Sequence, residues 1–270
     1  MSTRQFKSDA WKSNEAAERY HSATLAAPRL FKFIREDLFI RRIKRYADPG
    51  ARILDLGCGS GLIAIALHDL GYQIVACDVS QGMLDVLARE RGSRQFELRR
   101  GDGLAIPATE QEFDVVVSRM FIQHFSEWPR VLAEKARVTR PNGLVIFDFG
   151  NQEHIDASGL RAGDGSGFPY FDDPANPANF YASATAEAMR READALGLDV
   201  VEISPAGLLL NNVFLWEKLK TDGIAELNQT LDKILESSEA RRLLGILEET
   251  LAPLLPTTVT YGNITVLRRR

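Results

Sequence analysis

The sequence predicts an α/β fold with a doubly wound sheet of seven strands, of which the last is antiparallel. Short apolar, β-branched runs alternate with amphipathic helix patterns five times along the chain, which is typical of a parallel sheet covered by helices on both faces. A glycine turn joins the first of these strands to its helix, within Arg52 to Leu67. With 270 residues, the chain is long enough to add N-terminal helices and a cap of helices and loops.

Composition limits the classes of function. Hydrophobic residues make up 45% and charged residues 26%, which is ordinary for a globular protein. The net charge of −4 gives no general electrostatic footprint for nucleic acid. No stretch reaches the roughly 20 apolar residues of a membrane span, and the N-terminus lacks the apolar core of a signal peptide. The two cysteines, Cys58 and Cys77, provide no disulfide framework, which together with the lack of a signal peptide favours the cytoplasm. They have no Cys or His partners at metal-ligand spacing, so we expect no metal site.

Residues 1–47 precede the first strand and carry apolar and aromatic residues near helical spacing. We therefore expect two or three helices that form an N-terminal lid. Tyr20 and His21 are adjacent polar residues within this segment. The turn at residues 48–50 ends the lid and opens a core that extends to residue 150.

The first strand leads into the glycine turn. Asp55 stands at the carboxyl end of this strand, and Gly57, Gly59 and Gly61 follow before a helix that runs to about residue 70. Such a turn lets a ligand lie against the main chain at the positive end of a helix. The dinucleotide fingerprint G-x-G-x-x-G is not met, because Leu62 occupies the position of its third glycine.

The second strand, residues 72–78, also ends in an acid, Asp78. A carboxylate at this place in an α/β sheet can accept both hydroxyls of a ribose. The alternative is a helix N-cap, although Ser80 is available for that cap. Met83 is either a polarisable contact for an aromatic ligand or helix core.

The third and fourth strands are expected at residues 95–101 and 112–117. Asp102 and Gly103 follow the third strand, in a position where an aspartate is also common for turn formation alone. The fourth strand leads into residues 118–125, which include Arg119 and His124. The ordinary pKa of histidine suits a general base near neutral pH, and the alternative for His124 is a structural histidine after a strand.

The remaining chain completes the sheet and adds two insertions. We expect a helix at 128–139, a turn at 140–143 and a fifth strand at 144–149, then a cap loop for the acceptor, or a packing loop, at 151–182. Residues 183–270 contain a helix from about 185 to 197, strands at 199–205 and 257–267, and a helical insertion at about 213–255. The sequence leaves open whether that insertion walls an acceptor pocket or forms a homodimer contact.

Three motifs together resemble those of the class I S-adenosylmethionine-dependent methyltransferases of small-molecule type: D-x-G-x-G-x-G at 55–61, D-x-S-x-x-M-L at 78–84, and a G-D segment at 101–107 similar to G-D-x-x-x-L-P. The resemblance covers about residues 48–150 and implies a Rossmann-like fold. It implies S-adenosyl-L-methionine as cofactor, with its ammonium at Asp55 and the glycine turn beside it. It further implies that Asp78 binds the ribose and that Met83, Asp102 and Gly103 contact the adenine. Arg119 would lie near the sulfonium, and Tyr20 would bind the methionine carboxylate.

The expected reaction is in-line transfer of a methyl group to a small-molecule acceptor. Orientation supplies most of the catalysis, and a hydroxyl oxygen is favoured over nitrogen or carbon as the acceptor atom. His124 is the first choice as general base, with His21 and His154 behind it. The alternatives are an NAD-dependent oxidoreductase, disfavoured by Leu62, and a non-catalytic cofactor-binding scaffold.

Overall fold

The computed structural model describes residues 13–158, 182–208 and 213–270. The N-terminal segment consists of α1 (Asn14–Leu25), α2 (Arg29–Lys32), a π-helical turn (Phe33–Asp37) and α3 (Leu38–Tyr46). Ser13 caps α1 by accepting the Ala16 N–H at 3.1 Å. The first part of the predicted lid, residues 1–12, lies outside the described residues.

A mixed sheet forms the centre of the fold. Its strands within the described residues are β1 (Arg52–Leu56), β2 (Gln73–Asp78), β3 (Glu97–Arg100), β4 (Phe113–Ser118), β5 (Thr139–Asn151), β6 (Ser183–Ala184), β7 (Leu198–Pro205) and β8 (Gly262–Arg269). The order is β3-β2-β1-β4-β5-β8-β7, with β6 paired to β5. Strands β1 to β5 are parallel, and β8 runs antiparallel to β5 and β7. The predicted fold class is confirmed, and β6 is an additional strand of two residues.

Helices cover both faces of the sheet: α4 (Leu62–Asp69), α5 (Gln81–Glu90), α6 (Trp128–Val138), α7 (Gln152–Ser158) and α8 (Ala186–Ala195). One face buries Phe39 and Ile43 of α3 against β1. The other face packs Val131 of α6 and Met189 of α8 against Phe147 of β5. These two apolar layers pack against opposite faces of the sheet.

Two strand boundaries differ from the expectation. Strand β5 starts at Thr139 because residues 140–143 loop out as an irregularity between two paired positions, with Asn142 at a φ of 61°. The last strand starts only at Gly262. The side-chain amide of Asn151 donates to the carbonyls of Thr257 and Thr260, which holds the preceding segment in a short 3₁₀ turn.

The predicted helical insertion contains α9 (Val213–Ile234) and α10 (Ser238–Leu251). Leu231 and Leu235 pack with Leu30 and Phe33 of the N-terminal segment, and Gly245 of α10 lies against the Arg41 side chain. The insertion therefore supports the N-terminal helices, and its further role stays a prediction. In the described part of the chain, no helix is both long and apolar enough to cross a membrane.

The predicted cap loop is described only at its two ends. Helix α7 covers residues 152–158, and the Ala182 N–H donates to the Gln123 carbonyl at 2.7 Å. The aromatic residues expected to cover an acceptor fall within 159–181, outside the described residues, so this function of the loop stays a prediction.

Candidate functional site

A cleft with an empty volume of about 480 Å³ opens at the carboxyl ends of β1 and β4. The sheet order reverses between these two strands, which is where open α/β sheets bind ligands. We call Asp55 and residues 57–63 the inner wall. The outer wall consists of Tyr20, Arg35, Glu36, Arg119 and Met120.

The inner wall depends on glycine at two positions. Gly57 and Gly61 have φ angles of 74° and 89°, in the left-handed region. A Cβ atom on Gly57 would lie 2.1 Å from the Phe121 ring, and one on Gly61 would lie 2.0 Å from Leu87. The turn is fixed by the N–H of Gly57, which donates to the Cys77 carbonyl at 2.7 Å. Only glycine fits this close packing at the two positions.

Asp55 is a buried acid without full compensation. Its side chain lines the cleft, the residue is 2% exposed, and its Oδ2 atom has no hydrogen-bond partner. Burial, followed by the nearby charge of Asp78, raises the pKa of Asp55 to about 7. A buried carboxyl with an unpartnered oxygen favours a cationic ligand, so the ammonium of a bound amino acid group fits this position.

Asp78 lies next to the inner wall. Its Oδ2 accepts the Gly59 N–H at 2.9 Å and its Oδ1 accepts the Ser80 N–H at 2.9 Å. Burial raises the pKa of Asp78, against these two hydrogen bonds. Ser80 itself caps α5 by accepting the Met83 N–H at 3.3 Å. Each carboxylate oxygen of Asp78 keeps a second lone pair that can accept a hydrogen bond from a sugar hydroxyl.

The residues expected around adenine lie away from the walls of the cleft. Asp102 is exposed and accepts the Leu104 N–H at 3.0 Å, as in an Asx turn. Gly103 faces the Phe121 ring, 2.7 Å from where its Cβ would be. Met83 is buried between α1 and α5, in the surroundings of the helix-core alternative. Their roles in binding adenine stay predictions.

The outer wall is assembled from distant parts of the chain. The Tyr20 ring lies 3.9 Å from the Cβ position of Gly59, and the Arg35 guanidinium donates to the Tyr20 hydroxyl at 3.1 Å. Arg119 donates from Nε to the Arg35 carbonyl at 2.9 Å and pairs with Asp148 of β5. Arg119 thus lines the cleft and also ties β5 to the π-helical turn.

Met120 completes the outer wall. Its N–H donates to Asp148 at 2.6 Å, and its φ of 53° is uncommon for a residue with a side chain. Asp148 therefore fixes both residues of the outer wall that follow β4. Arg119 was predicted from the sequence as a site residue, whereas Met120 and Asp148 were not.

None of the histidines considered as bases is among the residues that line the described cleft. His21 is buried between α1 and α5, with Nε2 3.5 Å from Glu90. His124 ends the 3₁₀ turn Ile122–His124 that follows Met120. His154 is placed through Nδ1, 2.8 Å from the Thr258 carbonyl, and burial lowers its pKa. Their catalytic roles stay predictions.

Arg35 and Glu36 line the cleft but were missed by the sequence analysis. They belong to the π-helical turn Phe33–Asp37, where the Leu38 N–H bonds to the Phe33 carbonyl. The apolar residues around them gave an ordinary amphipathic helix pattern, and a local widening of that helix has no clear sequence signal. Burial raises the pKa of Glu36.

Comparison with known protein families identifies part of the chain. Residues 54–147 match the family described as "Methyltransferase domain". A malonyl-[acyl-carrier protein] O-methyltransferase of Serratia marcescens is 35% identical over 101 residues, which are 37% of this chain and 39% of that protein. A demethylmenaquinone methyltransferase of Renibacterium salmoninarum is 38% identical over 104 residues, 38% of this chain and 43% of that one. The matches thus span about two fifths of these relatives.

Solved structures share the fold. The [4+2]-cyclase SpnF superposes with a TM-score of 0.54 at 20% identity, covering 86% of this chain and 80% of that one. A chain from the complex of the Haloferax volcanii Trm112 methyltransferase activator with a putative methyltransferase gives a TM-score of 0.60 at 16% identity, covering 99% of both chains. At these identities the likeness concerns the fold alone.

Proposed function

Because residues 54–147 belong to the methyltransferase-domain family of the class I kind, whose cofactor is S-adenosyl-L-methionine, we propose that this protein methylates a small molecule. The observation that carries the proposal is Asp55, a buried acid with an unpartnered oxygen in a glycine-walled cleft. We further propose that the acceptor atom is a hydroxyl oxygen. The Serratia marcescens relative, named as a malonyl-[acyl-carrier protein] O-methyltransferase, supports oxygen as the acceptor atom, and the choice of a hydroxyl comes from the sequence.

The two walls of the cleft offer complementary charges for the amino acid part of the cofactor. Asp55 on the inner wall would hold the ammonium. Arg35 and Tyr20 on the outer wall would hold the carboxylate, since both present hydrogen-bond donors there. The glycine turn would let the cofactor approach the main chain between them. Asp78, Met83, Asp102 and Gly103 would contact the adenosine part, as the resemblance implies.

The bound cofactor supplies a methyl group on a sulfonium, which carries its own driving force. The protein then has to orient the acceptor, exclude water and remove a proton from a hydroxyl acceptor. His124 is the proton acceptor proposed from the sequence. Glu36 is a second proton acceptor to consider, and its side chain lines the cleft itself.

Binding measurements distinguish this function from its alternatives. We expect isothermal titration calorimetry to detect binding of S-adenosylmethionine and no binding of NAD. The protein is then incubated with methyl-labelled S-adenosylmethionine and separate pools of phenols, carboxylic acids, amines and thiols, and released S-adenosylhomocysteine is measured. Release that depends on a hydroxyl compound supports the proposal. Tight binding without release from any pool would instead support the cofactor-binding scaffold.

A further inference from the structure

We propose that Glu36 is a catalytic residue that takes the proton from the acceptor hydroxyl, an inference that rests on the proposed methyl transfer. Glu36 belongs to the outer wall of the same cleft that Asp55 lines. Because Asp55 already offers an unpartnered oxygen for the ammonium, a second carboxylate in the same cleft is available for the acceptor.

A π-helical turn presents Glu36 to the cleft. Such a turn is a local widening of the helix, with hydrogen bonds five residues apart. Here the turn Phe33–Asp37 is widened, and both Arg35 and Glu36 line the cleft while Phe33 and Ile34 stay in the core. Such π-helical turns occur frequently at functional sites.

The charges around Glu36 leave its carboxylate uncommitted. Lys32, Arg35 and Arg119 favour its ionised form, and Asp37 opposes it. Arg119 is held by Asp148, and Arg35 donates to Tyr20. Among the side chains that the structure describes, those of residues 13–158, 182–208, 223 and 225–270, no hydrogen bond or ion pair engages the Glu36 carboxylate.

Partial burial is the largest influence on Glu36 and raises its pKa above the ordinary value. The carboxylate is therefore a better proton acceptor than an exposed glutamate. Asp37 shows the same direction of shift from the same cause, but it does not line the cleft. Of these two neighbouring acids, Glu36 alone lines the cleft.

The proposed step balances as follows. The O–H bond of the acceptor breaks, and the proton goes to the Glu36 carboxylate. The oxygen electron pair forms the new bond to the methyl carbon, while the pair of the broken carbon–sulfur bond stays on sulfur. The products are the methylated acceptor, S-adenosylhomocysteine and a neutral Glu36, which releases its proton to solvent.

Glu36→Gln tests this role with a change that keeps the size of the side chain. The matched control is Asp37→Asn, a neighbouring acid in the same turn. The fastest hydroxyl acceptor from the pools above is assayed from pH 5 to 9 at saturating S-adenosylmethionine. Calorimetry with S-adenosylhomocysteine measures cofactor-site affinity without turnover, and circular dichroism checks the fold.

We expect Glu36→Gln to lower kcat 10²- to 10⁴-fold, the usual contribution of a general base, and to remove the acid limb of the pH–rate profile. The affinity for S-adenosylhomocysteine stays within twofold, and Asp37→Asn retains the wild-type profile. An unchanged kcat with an intact acid limb would overturn the proposal. So would a tenfold or greater loss of S-adenosylhomocysteine affinity, which would place Glu36 on the cofactor ammonium.

His124→Ala separates the two proposed bases. With Glu36 as the base, His124→Ala retains the acid limb even if turnover falls. Loss of that limb in His124→Ala, with the limb retained in Glu36→Gln, would assign the proton to His124 and overturn the proposal. Wild-type protein that neither binds the cofactor nor methylates any pool would instead contradict the proposed function itself.

Discussion

The inner wall of the cleft is nearly continuous in sequence, Asp55 followed by residues 57–63, whereas the outer wall combines side chains from three separate segments. The inner wall is fixed by local features, namely a strand end, glycines with positive φ and the start of α4. The outer wall is fixed by long-range contacts, such as Arg119 with Asp148 and the Arg35 carbonyl. The locally fixed inner wall fits the proposed binding of the cofactor ammonium, whereas the outer wall would serve both the cofactor carboxylate and the acceptor.

The outer wall also depends on a buried ion pair below it. Arg42 of α3 is 3% exposed and pairs with Glu202 of β7 at 3.1 Å. Tyr46 donates to the same carboxylate at 2.6 Å. This polar cluster joins the N-terminal helices to the sheet, so the position of Arg35 and Glu36 depends on residues far away in the sequence.

The largest effect is expected from Arg42→Met. The substitution leaves Glu202 buried without its cation, which should lower the free energy of unfolding by about 3–5 kcal/mol. Urea denaturation followed by circular dichroism measures the change. Lys44→Met, an exposed position on the same helix, is the control and should stay within about 0.5 kcal/mol of wild type. A loss below about 1 kcal/mol for Arg42→Met would show that this pair does not anchor the outer wall.

The second effect concerns the inner wall. Gly57→Ala combines backbone strain with a clash against Phe121, whereas Gly71→Ala introduces a similar strain at a φ of 90° with no atom within 4 Å. We expect Gly57→Ala to cost about 1–3 kcal/mol more stability than Gly71→Ala, the usual range for overpacking. We also expect affinity for S-adenosylhomocysteine to fall at least tenfold in Gly57→Ala alone. Equal results for both variants would mean that close packing at the turn is unimportant.

A smaller effect is expected from Lys135, a fully buried lysine beneath the outer wall. It donates to Ser118 at 2.6 Å, and burial lowers its pKa to about 7. Between about pH 7 and 10 the unfolded chain binds a proton that the folded lysine does not, so wild-type stability should rise with pH in this range. The contribution is at most about 1.4 kcal/mol per pH unit.

Lys135→Met removes this dependence. Thermal denaturation at matched ionic strength measures the stability of both proteins across this range. We expect the variant to exceed wild type in stability by the largest amount at pH 7 and by less towards pH 9. A difference that is constant across this range would show that the lysine is ionised in the folded protein. The hydrogen bond from Lys135 to Ser118 would then be charge-assisted.

Local determinants explain which parts could be predicted from sequence. The glycine turn after Asp55 was recognisable because its conformation depends on a few consecutive residues. Strand β5 was misplaced at its start because pairing with Phe113 extends it beyond residues 140–143. Glu36 was missed because a π-helical turn inside an amphipathic pattern gives no signal in residue types. The sequence also could not decide whether Met83 contacts a ligand or packs between two helices, since both require an apolar side chain.

The pH dependence of ligand binding tests the central role of Asp55 most directly. Its pKa is raised to about 7, so the carboxylate that would bind an ammonium is mostly protonated at pH 6 and mostly ionised at pH 8. Calorimetry should therefore show S-adenosylhomocysteine binding roughly tenfold tighter at pH 8 than at pH 6, with a proton released on binding near pH 7. Asp55→Asn should bind weakly at both pH values. Equal affinity in wild type and Asp55→Asn, without proton release, would contradict the account.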